Sequence, residues 1–116
     1  MKVIVAGCRD FTDYDLLCAK LDFLFVNKAP CIEIVCGEAR GADSLGKRYA
    51  QRKGYPVLSY PADWKKYGKS AGIRRNKEMA MAADALVAFW DGKSKGTFNM
   101  INTMRRLGKP VKIVNF

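Results

Sequence analysis

Short, unbroken apolar runs alternate along the chain with stretches whose apolar residues recur at helical spacing. Residues 2–6 (KVIVA) form such a run and end at Gly7, the pattern of a strand buried on both faces. In the GCRDFTDYD segment that follows, Thr12 or Asp13 is placed to cap a helix over 14–26, with Leu16, Leu17, Leu21, Leu24 and Phe25 on its inner face. Pro30 breaks the chain before a second strand over 31–35, and a turn through Gly37 and Gly41 opens a helix that runs to about Lys53 and stops at Gly54. The third strand, 57–60, leads into PADWKKYGKSAG, a long polar and aromatic connection. A helix over 73–82 follows, turning Met79 inward. Residues 85–90 read as a fourth strand, DGKSKGT as a second glycine-rich loop, 98–107 as a helix ended by Gly108 and Pro110, and 111–114 as a fifth strand.

Strands that alternate with helices throughout imply right-handed crossovers, hence a parallel sheet covered on both faces. The expected fold is α/β, a Rossmann-like three-layer sandwich around a five-stranded parallel sheet. A length of 116 residues suits one domain over 1–116. In such sheets ligands bind beyond the carboxyl ends of the strands, where the strand order reverses. The loops GCRDF, CGEARGAD and DGKSKGT are therefore expected to converge.

An apolar fraction of 49% and a charged fraction of 28% are ordinary for a globular domain and argue against disorder. No apolar run approaches the roughly 20 residues of a membrane span, and Met1 leads straight into a strand rather than a signal peptide; no membrane partner and a cytoplasmic location are expected. Twenty-one Lys and Arg against eleven Asp and Glu give a net charge of +10, which draws anionic partners such as nucleotides, nucleic acids or acidic surfaces. Histidine is absent, and Cys8, Cys18, Cys31 and Cys36 form no C-x-x-C. Cys31 and Cys36 fall on opposite faces of one expected strand, so the thiols read as reduced and structural, and neither a metal nor a cofactor is expected.

The candidate chemistry gathers in the loops. After Gly7, Arg9 could pair with a phosphate and Asp10 could accept from a ribose hydroxyl, or Arg9 could simply form a salt bridge to a loop carboxylate. In GEARGAD, Gly37 and Gly41 allow close backbone approach, Arg40 and the first helical amides could hold an anion, Glu38 could touch a ligand, and Asp43 is read first as a helix cap. The spacing matches neither G-x-G-x-x-G nor G-x-x-x-x-G-K-[ST]. Asp91, Gly92, Ser94, Gly96 and Thr97 make the opposite rim, where a helix start suits a phosphate. Between 65 and 77 lie six cations and no acid, beside Trp64 and Tyr67, a composition that could stack a base and clamp phosphates or follow single-stranded nucleic acid. Met79, Met81, Met100 and Met104 read as core filling. No pairing of nucleophile and base is recognisable, so catalytic residues are unassigned.

Four motifs in order, GCRDF, IVCGEARGADSLGKRYA, PADWKKYGKSAGIRRNKEM and ADALVAFWDGKSKGTFNMI, resemble the YspA-related (DUF2493) branch of the SLOG superfamily over nearly the whole chain. Cys8 stands where many relatives carry serine. The resemblance implies a Rossmann-like fold that binds a nucleotide or nucleotide-derived small molecule, sensing or sequestering a signal, in a protein that pairs through helices as a homo-oligomer. The superfamily also includes the LOG phosphoribohydrolases and the single-strand DNA-binding DprA proteins, which supply two alternatives: an N-glycosidic-bond hydrolase acting on a nucleoside monophosphate, and a single-stranded nucleic-acid binder. RNKEMAMAADA is similar in spacing to the segment bearing the LOG catalytic arginine, which falls on Arg75. In the LOG loop P-G-G-x-G-T-x-x-E, Gly96 and Thr97 are kept and Met100 takes the place of the catalytic glutamate. A thioether can neither stabilise an oxocarbenium ion nor act as a base. Phosphate binding is thus expected and LOG chemistry is not.

Overall fold

The computed structural model describes residues 1–26 and 31–116; the break expected at Pro30 lies outside the described residues. Five parallel strands, β1 (Lys2–Gly7), β2 (Glu33–Cys36), β3 (Val57–Ser59), β4 (Ala85–Trp90) and β5 (Val111–Asn115), lie in the order β3-β2-β1-β4-β5. The chain builds outward from β1 through β2 to β3, then returns to place β4 on the other side of β1. That return opens a crevice between the carboxyl ends of β1 and β4, whose last paired residues are Gly7 and Phe89.

Side-chain alternation along β1 divides the core in two. Val3 and Val5 face helices α1 (Tyr14–Phe25) and α2 (Ala42–Lys53), against Leu17, Leu21, Tyr49 and Ala50. Ile4 and Ala6 face α4 (Ala71–Ala82) and α5 (Lys95–Arg106), against Met79, Met100, Ile101 and Met104. These are the two outer layers of the expected sandwich. Asp13 caps α1 by accepting from the Leu16 amide at 3.0 Å, and Gly54 ends α2 in the left-handed region at φ 77°.

Several boundaries differ from expectation. The long polar connection is helical: α3 (Trp64–Tyr67) is capped by Asp63, whose carboxylate accepts from the Lys66 amide at 3.1 Å. A 3-10 turn over Gly68–Ser70 then joins it to α4, which starts two residues early. Such a capped turn is stabilised by local hydrogen bonds rather than an apolar face, so periodicity does not reveal it. Helix α5 begins at Lys95, before its first apolar residue, because the Ser94 carbonyl already accepts from Phe98 N at 3.1 Å. Cys31 is exposed and precedes β2, while Cys36 is buried within it, so the two thiols do not share a strand. Met81 is 64% exposed, unlike Met79, Met100 and Met104, and is no part of the core. Among the described residues, no helix is long and apolar enough to cross a membrane.

Candidate functional site

The end of β1 is tied to the end of β4 by two bonds. Cys8 N donates to the Phe89 carbonyl at 3.0 Å, and the Asp91 amide donates to Cys8 Sγ at 3.4 Å. Burial pushes the Cys8 thiol above its usual range, which makes it a neutral acceptor holding two loops together rather than a nucleophile. On the far rim, Asp91 Oδ1 accepts from Lys93 N at 2.7 Å and Ser94 N at 2.9 Å, and these amides hold its carboxyl below the ordinary value. Ser94 Oγ and Thr97 Oγ1 are bonded at 3.2 Å, with Thr97 buried in the first turn of α5.

The loop after β2 closes differently from expectation. Asp43 does not cap α2; it is buried, and its Oδ2 accepts from Gly37 N at 3.1 Å. The Asp43 carboxylate is thus turned to the loop before α2 and not to the first amides of that helix. Gly41, at φ 80°, is pressed against the Cys8 and Arg9 carbonyls, and the Ala42 amide donates to Cys8 O at 3.3 Å. Gly41 is therefore a packing residue, and it lines neither of the clefts described below.

Arg75, half-buried on α4, spans the mouth. Its Nη1 donates to the Gly37 carbonyl and its Nε to Asn76 Oδ1 at 3.1 Å, while Asn76 Nδ2 donates to Gly96 O at 3.3 Å and Asn99 Oδ1 at 3.2 Å. One chain of bonds thereby links the β2 loop, α4 and the first turn of α5. Gly37 permits it, because a Cβ there would sit 2.8 Å from Arg75 Cζ. Asn76 was not among the residues expected at the site. Its one signal is a polar side chain at the helical spacing of the inner-facing Met79, Ala80 and Ala83.

Desolvation raises the Asp43 carboxyl from 3.8 to about 6, opposed first by the Arg75 charge and then by the Gly37 amide. Folding therefore lifts this pKa, so the contribution is fully present below the unfolded value and is lost as pH rises through the folded one. Stability from this group should fall by about 3 kcal/mol between roughly pH 4 and 6. Glu38, Asp22 and Asp91, all depressed, act in the opposite sense. The measurement is consequently the difference in urea midpoint between wild type and Asp43→Asn across that window. A difference that does not change with pH would refute the assignment.

Two clefts open on this edge. The first, about 460 Å³, lies between the ends of β1 and β4 and is lined by Gly7, Arg9, Asp10, Asp91, Ser94, Gly96 and Thr97, with Lys93, Asp43, Asn76 and Met100 also in its wall. The second, about 410 Å³, is lined by Gly37, Glu38, Arg40, Pro61, Ala62 and Trp64. Arg9, Ala39 and Arg75 belong to both. Tyr67 and Gly92, like Gly41, line neither: Tyr67 lies under the Arg74 guanidinium at 4.5 Å, and Gly92 forms an exposed turn at φ 83°. Trp64 is 52% exposed, so it is not a core residue. Glu38 adopts φ 61°, unusual for a side chain with a Cβ, and pairs with Lys47 at 3.0 Å. The Ser59 hydroxyl first, then Lys47, holds its carboxyl below the ordinary value.

A profile of the YspA, cpYpsA-related SLOG family matches residues 1–67. The Gene 61 protein of Mycobacterium phage D29 is 35% identical over 126 residues, covering 99% of this chain and 95% of its own. The fold is similar to that of DNA processing protein A (DprA) from Streptococcus pneumoniae, with a TM-score of 0.78 at 16% identity; the match covers 99% of this chain, which spans half of the DprA chain. It is also similar to TM1055, a structural genomics target, with a TM-score of 0.69 at 21% identity over 95% of this chain and 71% of that one. At those identities the two solved structures speak for the Rossmann-like fold alone. The profile and the phage relative, reaching across the strand, loop and helix elements that build the crevice, place the chain in the YspA, cpYpsA-related SLOG family.

Proposed function

We propose that this protein binds a nucleotide or nucleotide-derived small molecule in the crevice at the carboxyl ends of β1 and β4, to sense or sequester it. The observation that carries this reading is the meeting of two clefts at Arg9 and Arg75, directly at the switch in strand order. A phosphate at that meeting point would face two guanidinium groups, a donor geometry suited to phosphate oxygens. Asp10 would take sugar hydroxyls and Trp64 would stack the base. Binding is favoured over hydrolysis because Met100 lines the first cleft where a LOG enzyme needs a carboxylate, and Asp91 Oδ1 is already engaged by two amides. Pairing of two copies through helices would bury the exposed Ile73, Met81 and Leu107 of the α4 and α5 face, and sedimentation velocity reads it directly.

A second reading, single-stranded nucleic-acid binding, draws on the exposed cations Lys65, Lys66, Lys69, Arg74 and Lys77 beside exposed Trp64, and on the processing of DNA named for DprA. Thermal unfolding with AMP, ADP, ATP, ADP-ribose, cyclic dinucleotides and a short single-stranded DNA, at two salt concentrations, separates the two. A ligand at 100 times its Kd adds about 2.7 kcal/mol, raising Tm by roughly 10 °C in a domain of this size. A salt-tolerant shift with one nucleotide class is expected. A shift with DNA alone that collapses as salt rises would replace the small-molecule reading.

A further inference from the structure

The two clefts differ in charge. The second presents Arg9, Arg40 and Arg75 against Glu38, itself neutralised by Lys47, and is therefore positive. The first sets Arg9, Arg75 and Lys93 against Asp10, Asp43 and Asp91 and is balanced. Each volume lies in the lower part of the roughly 300–1,000 Å³ typical of a small-molecule site, and together the clefts approach its upper part. A chain of further phosphates extending into the first cleft would meet carboxylates. A neutral, hydroxyl-rich group would find acceptors there.

Resting on the nucleotide reading above, we propose that the ligand is two-part: a nucleotide whose phosphate or diphosphate is esterified to a second, hydroxyl-rich group. The base lies against Trp64 in the second cleft, the phosphate linker crosses Arg9 and Arg75, and the second group fills the first cleft, with Asp10 accepting from its hydroxyls. Three features prepare the second cleft for a flat ring and an anion. Asp63 caps α3 and so fixes the backbone at Trp64, the first residue of that helix. The far edge of the indole approaches Gly72, where a Cβ would stand 3.4 Å from Trp64 Cη2. Glu38 sits at positive φ with its carboxylate paired to Lys47, which leaves the arginine charge uncancelled.

Calorimetric titration with AMP, ADP, ATP, ADP-ribose and ADP-glucose tests this on wild type, Asp10→Ala and Trp64→Ala. Wild type should bind ADP-ribose or ADP-glucose about tenfold more tightly than ADP, and ATP no more tightly than ADP, since the loss of a hydrogen bond to a charged acceptor is of that size. Asp10→Ala should erase the preference, whereas Trp64→Ala should weaken ADP and the two-part compounds by similar factors. If ATP outranks the two-part compounds, or the preference survives Asp10→Ala, the two-part assignment is overturned while ADP binding still upholds the nucleotide reading. If none of the compounds binds, both fall.

Discussion

Gly41→Ala is expected to lower Tm by about 10–20 °C. Gly41 lies at φ 80°, where a Cβ costs about 1–2 kcal/mol in backbone strain. That Cβ would also stand 2.6 Å from the Arg9 carbonyl oxygen and closer still to that of Cys8, backbone atoms that cannot swing aside. Crowding of this kind adds roughly 1–3 kcal/mol, which gives a loss of about 2–5 kcal/mol in all. Gly54, at φ 77° with open space around it, supplies the control. Gly54→Ala should cost only the strain, about 1 kcal/mol, and therefore roughly a third of the shift in Tm. Equal losses at the two positions would mean that the close approach of the β2 loop to the end of β1 is not what holds the site's rim.

Arg75→Met is expected to reduce nucleotide affinity about a hundredfold, since a charged, hydrogen-bonded partner removed from a partly buried site typically costs 2 kcal/mol or more. Methionine keeps much of the side-chain volume but removes the guanidinium from both clefts and frees the Gly37 carbonyl. The substitution also leaves Asp43 buried without its counter-charge, so the Asp43 carboxyl should titrate above its present value of about 6. Calorimetry on the nucleotide found in the thermal panel gives the affinity, and the pH dependence of the urea midpoint gives the titration. Affinity within threefold of wild type would remove Arg75 from the binding site and leave it as the counter-charge to Asp43.

Much of the architecture was legible in the pattern of apolar positions. Parallel buried strands appear as unbroken apolar runs, and β4 begins and ends at the expected residues. Helix α3 and the early start of α5 escaped because their stabilising groups are hydrogen-bonding side chains and carbonyls rather than an apolar stripe. The site was legible in part. The loops after β1, β2 and β4 were expected to converge, and Arg9, Asp10, Glu38, Arg40, Trp64, Arg75, Ser94, Gly96 and Thr97 do line the clefts. Asp43 reads as a helix cap, and Arg40 with the amides near Gly41 as an anion cradle, because the same glycine and carboxylate at a helix start fit a cap, a cradle or a bond to a neighbouring loop. Only the packing of Asp43 under the Gly37 loop distinguishes them. Asn76 was missed because one polar residue on an inner helix face has no meaning until the neighbouring helix is in place.

The sequence by itself determined the α/β fold, the positions of most strands and the loops that bear the polar residues, since periodicity, glycine turns and caps act over a few neighbouring residues. The tertiary structure alone decided which charges share a cleft. Arg9, Arg40 and Arg75 come from the loops after two different strands and from α4; Arg40 lines only the second cleft, while Arg9 and Arg75 also share the first with Asp10 and Asp91, an arrangement that depends on the strand order that brings β4 back beside β1. Electrostatic fields fall off within about 10 Å in salt, so a net charge of +10 read along the chain cannot say which of its members will act together.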